Sequence, residues 1–341
     1  MKIIVDCYGG DNAPCEIVKG AVAAVNENKN IKAVLCGKQD EINQILSGLT
    51  YDKEAIEVLN AGDVITCDES PTEAVRKQTD SSLVVGLKAL KEDDEAKAFV
   101  SAGSTGAVLT GAILKVGRIK GVSRPALAPL IPNLLGGETM LLDCGANVDC
   151  KPVNLVHFAL MGSVYMKEVG GVENPKVALL SNGTEDKKGC ALTREVFGIL
   201  SKLDGINFVG NMEARDIFSG DFDVIVTDGF YGNIALKSIE GTAACIFNVL
   251  KKEIKASKKA MLGAFLMKGA LRGVKQTLDY NKKGGAVFLG VDKVIVKAHG
   301  SSKAEALKNA IFQAYNSAHH DINGKIKESI EAHDLTNFIK E

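Results

Sequence analysis

Gly103-Ser104-Thr105-Gly106 stands between an apolar run ending at Ser101 and an amphipathic stretch running to Val116. Main-chain N–H groups of such a turn, together with the helix N-terminus behind it, form a site for an anion. The same four residues also read as an ordinary helix cap, with Ser104 or Thr105 capping. Asp186-Lys187-Lys188 sets two ammonium groups between a strand and a helix, within reach of a substrate anion or a departing thiolate. The plainer reading is a pair of solvated surface lysines. Asn233, behind Gly232 at the opening of a helical stretch, has an amide that can donate to a developing oxyanion or simply cap the helix. Asp228, Asn147 and Asp149 divide in the same way between substrate contact and turn geometry.

Other chemistries lack their signatures. The chain contains no G-x-x-x-x-G-K-[ST], and no G-x-G-x-x-G follows its first strand, so nucleotide phosphate binding by either route is unsupported. There is no G-x-S-x-G elbow. His157, His299, His319, His320 and His333 show no ligand spacing joined to Cys or carboxylates, so no metal site is expected. Cys144 ends a strand where a nucleophile would stand, but with no His near it in sequence it reads as a buried thiol.

Positioning these loops requires short β-branched runs alternating with longer amphipathic ones, the pattern of a mostly parallel sheet covered by helices. Strands are predicted at Ile3–Cys7, Lys32–Cys36, Ile56–Leu59, Ala98–Ser101, Met140–Asp143, Lys176–Leu180, Asn207–Val209 and Asp223–Thr227. Ala286–Leu289 and Val294–Lys297 are placed to pair with each other. Helices are predicted at Glu16–Asn28, Gly106–Val116, Leu155–Glu168, Ala191–Leu203 and Asn233–Ile254, with two more from Ser302 onward. The expected fold is a three-layer α/β/α unit, a single domain over residues 1–341. Five strand ends carry Gly, Ser/Thr, Asn and Asp, and in a parallel sheet they gather on one edge, where ligands bind.

The 341 residues carry 41 Lys and Arg against 42 Asp and Glu, a net charge of −1, with 5% aromatic residues and no Trp. Neither a basic surface nor a stacking platform is available, which argues against nucleic acid as a partner. The chain enters its first strand directly after Met1, leaving no room for a signal peptide, and none of its eight cysteines forms a C-x-x-C pair. A reducing cytoplasm, with cysteines as small core hydrophobes, is the expectation. The longest uncharged run, Ala98–Leu114, falls short of the ~20 residues a membrane span needs.

One segment breaks the charge balance. Residues 251–283 hold ten Lys and Arg against Glu253 and Asp279, an excess of eight. Within it Met261, Leu262, Phe265 and Leu266 repeat at helical spacing, and Lys268, Arg272 and Lys275 follow a helical face. Such a helical insertion suits an anionic membrane surface or an acidic partner, or packs its apolar side on the core or on a second subunit.

Taken together the strings resemble the bacterial phosphate acyltransferase family PlsX. The resemblance rests on Gly9-Gly10-Asp11-Asn12-Ala13-Pro14, Ser101 through Ala107, Arg124-Pro125-Ala126, Leu142 through Asn147, Asn182 through Gly189, Asp228 through Asn233, and Gly284 through Gly300. Cys7-Tyr8 stands where the family usually has Ala-Met, and Ser104 where it usually has Asn. The resemblance implies a fold similar to phosphotransacetylases and isocitrate-dehydrogenase-like enzymes, and transfer of a long-chain acyl group from acyl carrier protein to inorganic phosphate. It also implies a homodimer, no cofactor, loose attachment to the inner face of the membrane through the region around Met261–Arg272, and delivery of acyl phosphate to a PlsY-type glycerol-3-phosphate acyltransferase for phospholipid synthesis. The expected roles are phosphate binding at Gly103–Gly106 with Arg124, Asn147, Asp228 and Gly232, oxyanion support from Asn233, and help for the leaving thiolate from Lys187 or Lys188. The competing readings are a phosphotransacetylase using coenzyme A, a nicotinamide- and metal-dependent dehydrogenase, and a non-enzymatic membrane scaffold.

Overall fold

The computed structural model describes residues 1–278 and 284–333. The side chain of Lys275, together with Asp279, Lys282 and Lys283 of the basic segment, lies outside what it describes.

In chain order the elements are β1 (Lys2–Asp6), α1 (Cys15–Glu27), β2 (Lys32–Gly37), α2 (Gln39–Ser47), β3 (Ile56–Asn60), α3 (Pro71–Lys77), α4 (Ser82–Glu92), β4 (Ala96–Ser101) and α5 (Thr105–Gly111). Then follow β5 (Ala126–Pro132), β6 (Glu138–Leu142), α6 (Pro152–Glu168), β7 (Lys176–Ser181), α7 (Ala191–Leu200), β8 (Asn207–Glu213), β9 (Val224–Val226) and α8 (Gly229–Ala256). The chain continues through α9 (Lys258–Leu266), α10 (Lys268–Leu278), β10 (Gly285–Leu289), β11 (Val294–Ala298), α11 (Ala304–His319) and α12 (Ile322–Ala332). All ten predicted strands are present. The added one, β5, reads Ala-Leu-Ala-Pro-Leu-Ile-Pro, and its prolines, which cannot donate to a ladder, disguise it in the sequence.

Among the described residues the strands form one sheet in the order β3-β2-β1-β4-β11-β10-β5-β6-β9-β7-β8. β10 and β11 do pair, antiparallel, with Gly285 opposite Ala298. β10 is also antiparallel to β5, and β5 to β6, whereas β1, β2, β3, β4 and β11 are mutually parallel and so are β6, β7, β8 and β9. The two halves therefore run in opposite directions. This corrects the expectation of a single loop-bearing edge: the ends of β1 and β4 lie on one edge, those of β6, β7 and β9 on the other.

The sheet is the middle of three layers. On one face α1, α2, α6, α7, α11 and α12 bury Ile17, Leu46, Phe158, Val196, Ile311 and Ile326 in a continuous core. The opposite face carries two separate cores, one under α3, α4 and α5 (Val75, Leu87, Val108, Phe288, Ile295) and one under α8 (Ile131, Leu141, Leu236). Where the first gives way to the second, over β11, β10 and β5, the sheet is left as the floor of a cleft.

α9 buries no side chain. Its Phe265 and Leu266 are 71% and 77% exposed, so packing of this apolar stripe on the protein's own core, one of the readings above, does not occur. Among the described residues no helix is long and apolar enough to cross a membrane. The cysteines fit the core expectation only in part: Cys7, Cys36 and Cys144 are buried, but Cys15, Cys67, Cys190 and Cys245 are exposed, and all eight are free thiols.

Candidate active site

Two buried carboxylates, each ending an apolar strand, organise the two rims of the cleft. Asp6 closes β1. Its Oδ1 accepts from Ser82 Oγ at 2.6 Å and Tyr8 N at 3.2 Å, and its Oδ2 accepts from Ser101 Oγ at 2.7 Å. Ser101 Oγ in turn accepts the Gly103 N–H at 3.0 Å. Gly9 closes in over this turn so tightly that a Cβ on it would stand 2.5 Å from Gly103 N. Burial pushes the Asp6 carboxyl up, while the hydroxyl and amide donors oppose that shift.

Asp143 follows β6 and is fully buried. It accepts from Leu127 N (2.9 Å), Ala146 N (3.1 Å) and Asn147 N (2.6 Å). Asn147 adds its side-chain amide to Asp143 (2.9 Å) and to Pro125 O (2.7 Å). Its carbonyl receives the N–H of Gly229, the first residue of α8. A Cβ at Gly232 would meet Asp143 O at 1.9 Å, so only glycine lets α8 come down on this loop. The contact brings Asn233 beside Gly145, whose ideal Cβ would lie 3.6 Å from the asparagine side chain.

Between the rims lies a cavity of about 320 Å³. Thr105 comes from one side, Gly145, Asn233, Lys237 and Glu240 from the other, and Pro129, Ala286 and Lys297 form the floor with His299 beside them. The Ser301 N–H donates to His299 Nδ1 at 3.2 Å, which makes Nδ1 the acceptor of a neutral ring and leaves the proton on Nε2. Burial lowers the His299 pKa and favours that neutral form. Lys237 is paired with Glu240 at 2.8 Å.

The predicted residues separate on this geometry. Thr105 and Asn233 meet in the cavity. Gly103 spends its N–H on Ser101, and Ser104, although it occupies the cap position, makes no capping hydrogen bond, so α5 is not closed by its own side chain. Asn233 does not open α8: the helix begins at Gly229 under Asp228, whose carboxylate accepts Tyr231 N at 2.9 Å. Asp228 is therefore a cap, Gly232 a point of close approach, and Asn147 a brace for the loop. Arg124 is exposed and does not line this cavity.

Lys187 and Lys188 are exposed as well. Their loop closes on itself through Gly189 N to Asn182 Oδ1 at 2.9 Å, and Asn182 and Gly189 border a second cavity of about 680 Å³. This one is lined by Tyr231, Ile234, Ser238 and Ile239 on the other face of α8, so the lysine loop and Thr105 border cavities on opposite sides of one helix. Cys144 is buried, its thiol pushed far up by desolvation, and is no nucleophile. Lys297, Asp6 and Asp143 were not singled out from the sequence, and His299 was weighed only as a metal ligand. The available signal was a charged residue inside, or closing, an otherwise apolar strand.

Read chemically, the cleft offers amide, imidazole N–H and ammonium donors, and among the described residues no group of His, Cys, Asp and Glu gathers for a metal ion. Such a donor set holds and polarises anionic oxygens. The family profile described as "fatty acid synthesis protein" matches residues 1–325. The phosphate acyltransferase of Clostridium novyi (strain NT) is 49% identical over 331 residues, 97% of this chain and 99% of that one. This chain belongs to the phosphate acyltransferase family. It is accordingly an acyltransferase.

The fold extends further than the family. A phosphotransacetylase from Streptococcus pyogenes superposes with a TM-score of 0.57 at 18% identity, covering 97% of this chain and 94% of that one. A phosphotransacetylase from Staphylococcus aureus does so with a TM-score of 0.58 at 18% identity, covering 93% and 94%. At that identity the likeness concerns architecture alone.

Proposed function

We propose that the protein transfers a long-chain acyl group from acyl carrier protein to inorganic phosphate, releasing acyl phosphate and the free carrier thiol for phospholipid synthesis. The observation that carries this reading is that Thr105 and Asn233 line one cavity from opposite sides in a chain of this family.

Phosphate bound beneath the open first turn of α5 attacks the thioester carbonyl through one of its oxygens. The carbonyl oxygen becomes an oxyanion to which the Asn233 amide donates. Collapse breaks the C–S bond, and the thiolate takes up the proton that the attacking phosphate gives up, becoming the carrier thiol. Lys187 or Lys188 supplies a positive charge for that departure by reaching over the first turns of α8. Phosphate is already a nucleophile and the thioester already activated, so this route needs no cofactor.

The whole chain acts as one catalytic unit, and the basic segment around α9 and α10 is an insertion into it. As a homodimer, the protein rests on the inner face of the membrane through Met261, Leu262, Phe265 and Leu266, with Lys268 and Arg272 turned to anionic headgroups. There it passes its product to a membrane glycerol-3-phosphate acyltransferase.

The test is phosphate-dependent appearance of free thiol from a long-chain acyl carrier protein, with the acyl phosphate trapped by hydroxylamine. Thiol release that ignores phosphate defeats the proposal. Turnover confined to coenzyme A thioesters would reassign the acyl donor.

A further inference from the structure

β11 reads Val-Ile-Val-Lys-Ala and every one of its residues is buried. Val294, Val296 and Ala298 belong to the large core on one face. Ile295 belongs to the opposite core, and Lys297, two residues on, faces the same way. It stands opposite Ser101 on β4 and Ala286 on β10, in the gap between the two smaller cores. A lysine here is only 8% exposed. Its Nζ reaches two main-chain carbonyls, Ala298 O and, at 3.4 Å, Ala102 O, the residue just before Gly103. Among the described residues it forms no ion pair, although surface lysines of this chain do, as Lys2 does with Asp93.

A desolvated cation held only by carbonyls is a cost to folding. It becomes understandable if an anion completes its coordination. The cavity above Lys297 is the one that joins Thr105 to Asn233.

We propose that the Lys297 ammonium is the floor contact of the anionic acyl acceptor, binding phosphate oxygens below the first turn of α5. The inference rests on phosphate being the acceptor, as in the reaction given above. It assigns the phosphate cation to a strand residue inside the cleft and not to the exposed Arg124 or Lys187.

Burial brings the Lys297 pKa down to about 8. The charged and titratable groups around it are Cys67, Asp6 and Asp11, which favour its charged form, Lys237, which disfavours it, and His299, Glu240 and the buried Cys144 lining the same cavity. A phosphate dianion stabilises the ammonium, so binding takes up protons around that pH.

The experiment compares wild type, Lys297→Met and Lys297→Arg in two readouts. One is calorimetric binding of inorganic phosphate, with no acyl donor present. The other is steady-state turnover with phosphate and acyl carrier protein varied separately. Lys297→Met should weaken phosphate binding and raise the KM for phosphate by about ten- to hundredfold, the usual worth of a hydrogen bond to a charged group. The KM for acyl carrier protein should stay within about twofold, and Lys297→Arg should recover part of the loss. An inflection near pH 8 in phosphate affinity should vanish in Lys297→Met. That variant should also melt no lower than wild type, because a buried, carbonyl-bound cation gives way to an apolar chain of similar length.

If Lys297→Met does not fold, Lys297→Gln replaces it in both readouts. Unchanged phosphate affinity and unchanged phosphate KM overturn the inference while leaving the reaction standing. Wild type that binds phosphate through Lys297 but releases no thiol overturns the reaction and leaves the site. Wild type that neither binds phosphate nor shows a Lys297-dependent KM overturns the inference outright.

Discussion

Ser101 Oγ donates to Asp6 Oδ2 at 2.7 Å and accepts the Gly103 N–H at 3.0 Å, so one hydroxyl ties a buried carboxylate to the turn that overhangs the cleft. Ser101→Ala leaves Gly103 N unpaired and strips a buried carboxylate of one donor. We expect about 1–3 kcal/mol of lost stability in urea unfolding, the cost of orphaned buried groups. A higher KM for phosphate should accompany it, because the turn loses its anchor. A variant as stable as wild type, with unchanged kinetics, would show that the hydroxyl does not hold the turn.

Asn233 is exposed, and its side chain has no hydrogen-bond partner among the described residues. Asn233→Ala should therefore melt with wild type yet lose about a hundredfold in kcat, the usual worth of one oxyanion donor. The paired measurement is thermal unfolding beside thiol release, and near-normal turnover removes Asn233 from the mechanism.

Two glycines of α8 should behave oppositely on replacement by alanine. At Gly232 the new methyl would stand 1.9 Å from Asp143 O, forcing the helix off its loop; we expect losses beyond about 3 kcal/mol and an inactive protein. At Gly241 nothing lies within 4 Å, so Gly241→Ala should gain about 0.5–1 kcal/mol from helix propensity. Denaturant midpoints of the two variants decide it.

His157 on α6 accepts the Ser123 N–H on Nδ1 at 3.1 Å and is buried, and burial lowers its pKa from 6.5 to about 4. The unfolded chain then binds a proton between pH 6.5 and 4 that the native protein does not. Stability is unaffected above pH 6.5 and falls as the pH drops through that window, by about 3 kcal/mol in all. His157→Gln keeps an acceptor for Ser123 and removes the titration, so its stability should vary less with pH over the same range. Parallel unfolding curves at pH 7 and pH 4 would test this, and identical pH dependence in both proteins would refute it.

Phe265 and Leu266 project from α9 beside a run of lysines. The double change to glutamate should reduce sedimentation with vesicles of anionic phospholipid by at least about tenfold, while thiol release from a soluble acyl donor continues. Unaltered sedimentation would leave the apolar stripe to a second subunit.

Alternation of side chains and turn chemistry are local properties, and they were enough to locate ten strands, the larger helices and the loops holding Thr105, Gly145 and Asn233. Several things escaped. The helices α2, α3 and α4 were not read from the sequence, and β5 was hidden by Pro129 and Pro132. Asp228 was legible as a turn residue, and the structure makes it the cap of α8. The positions of Arg124, Lys187 and Lys188 relative to the cleft depend on which side of α8 their loops pass, and no residue type records that.

Sequence alone determined the class of fold, the family, and which segments carry polar groups at strand ends. Tertiary structure decided that β5 and β10 reverse the sheet, so that loops from opposite edges meet across one face instead of lining one edge. It also decided that Lys297, in sequence only a lysine near the end of a strand, lies on the floor beneath them. The reason is physical: strand direction and neighbourhood are settled by hydrogen bonds and packing between residues more than a hundred positions apart, such as Ser101 and Lys297, whereas propensity and periodicity reach only a few.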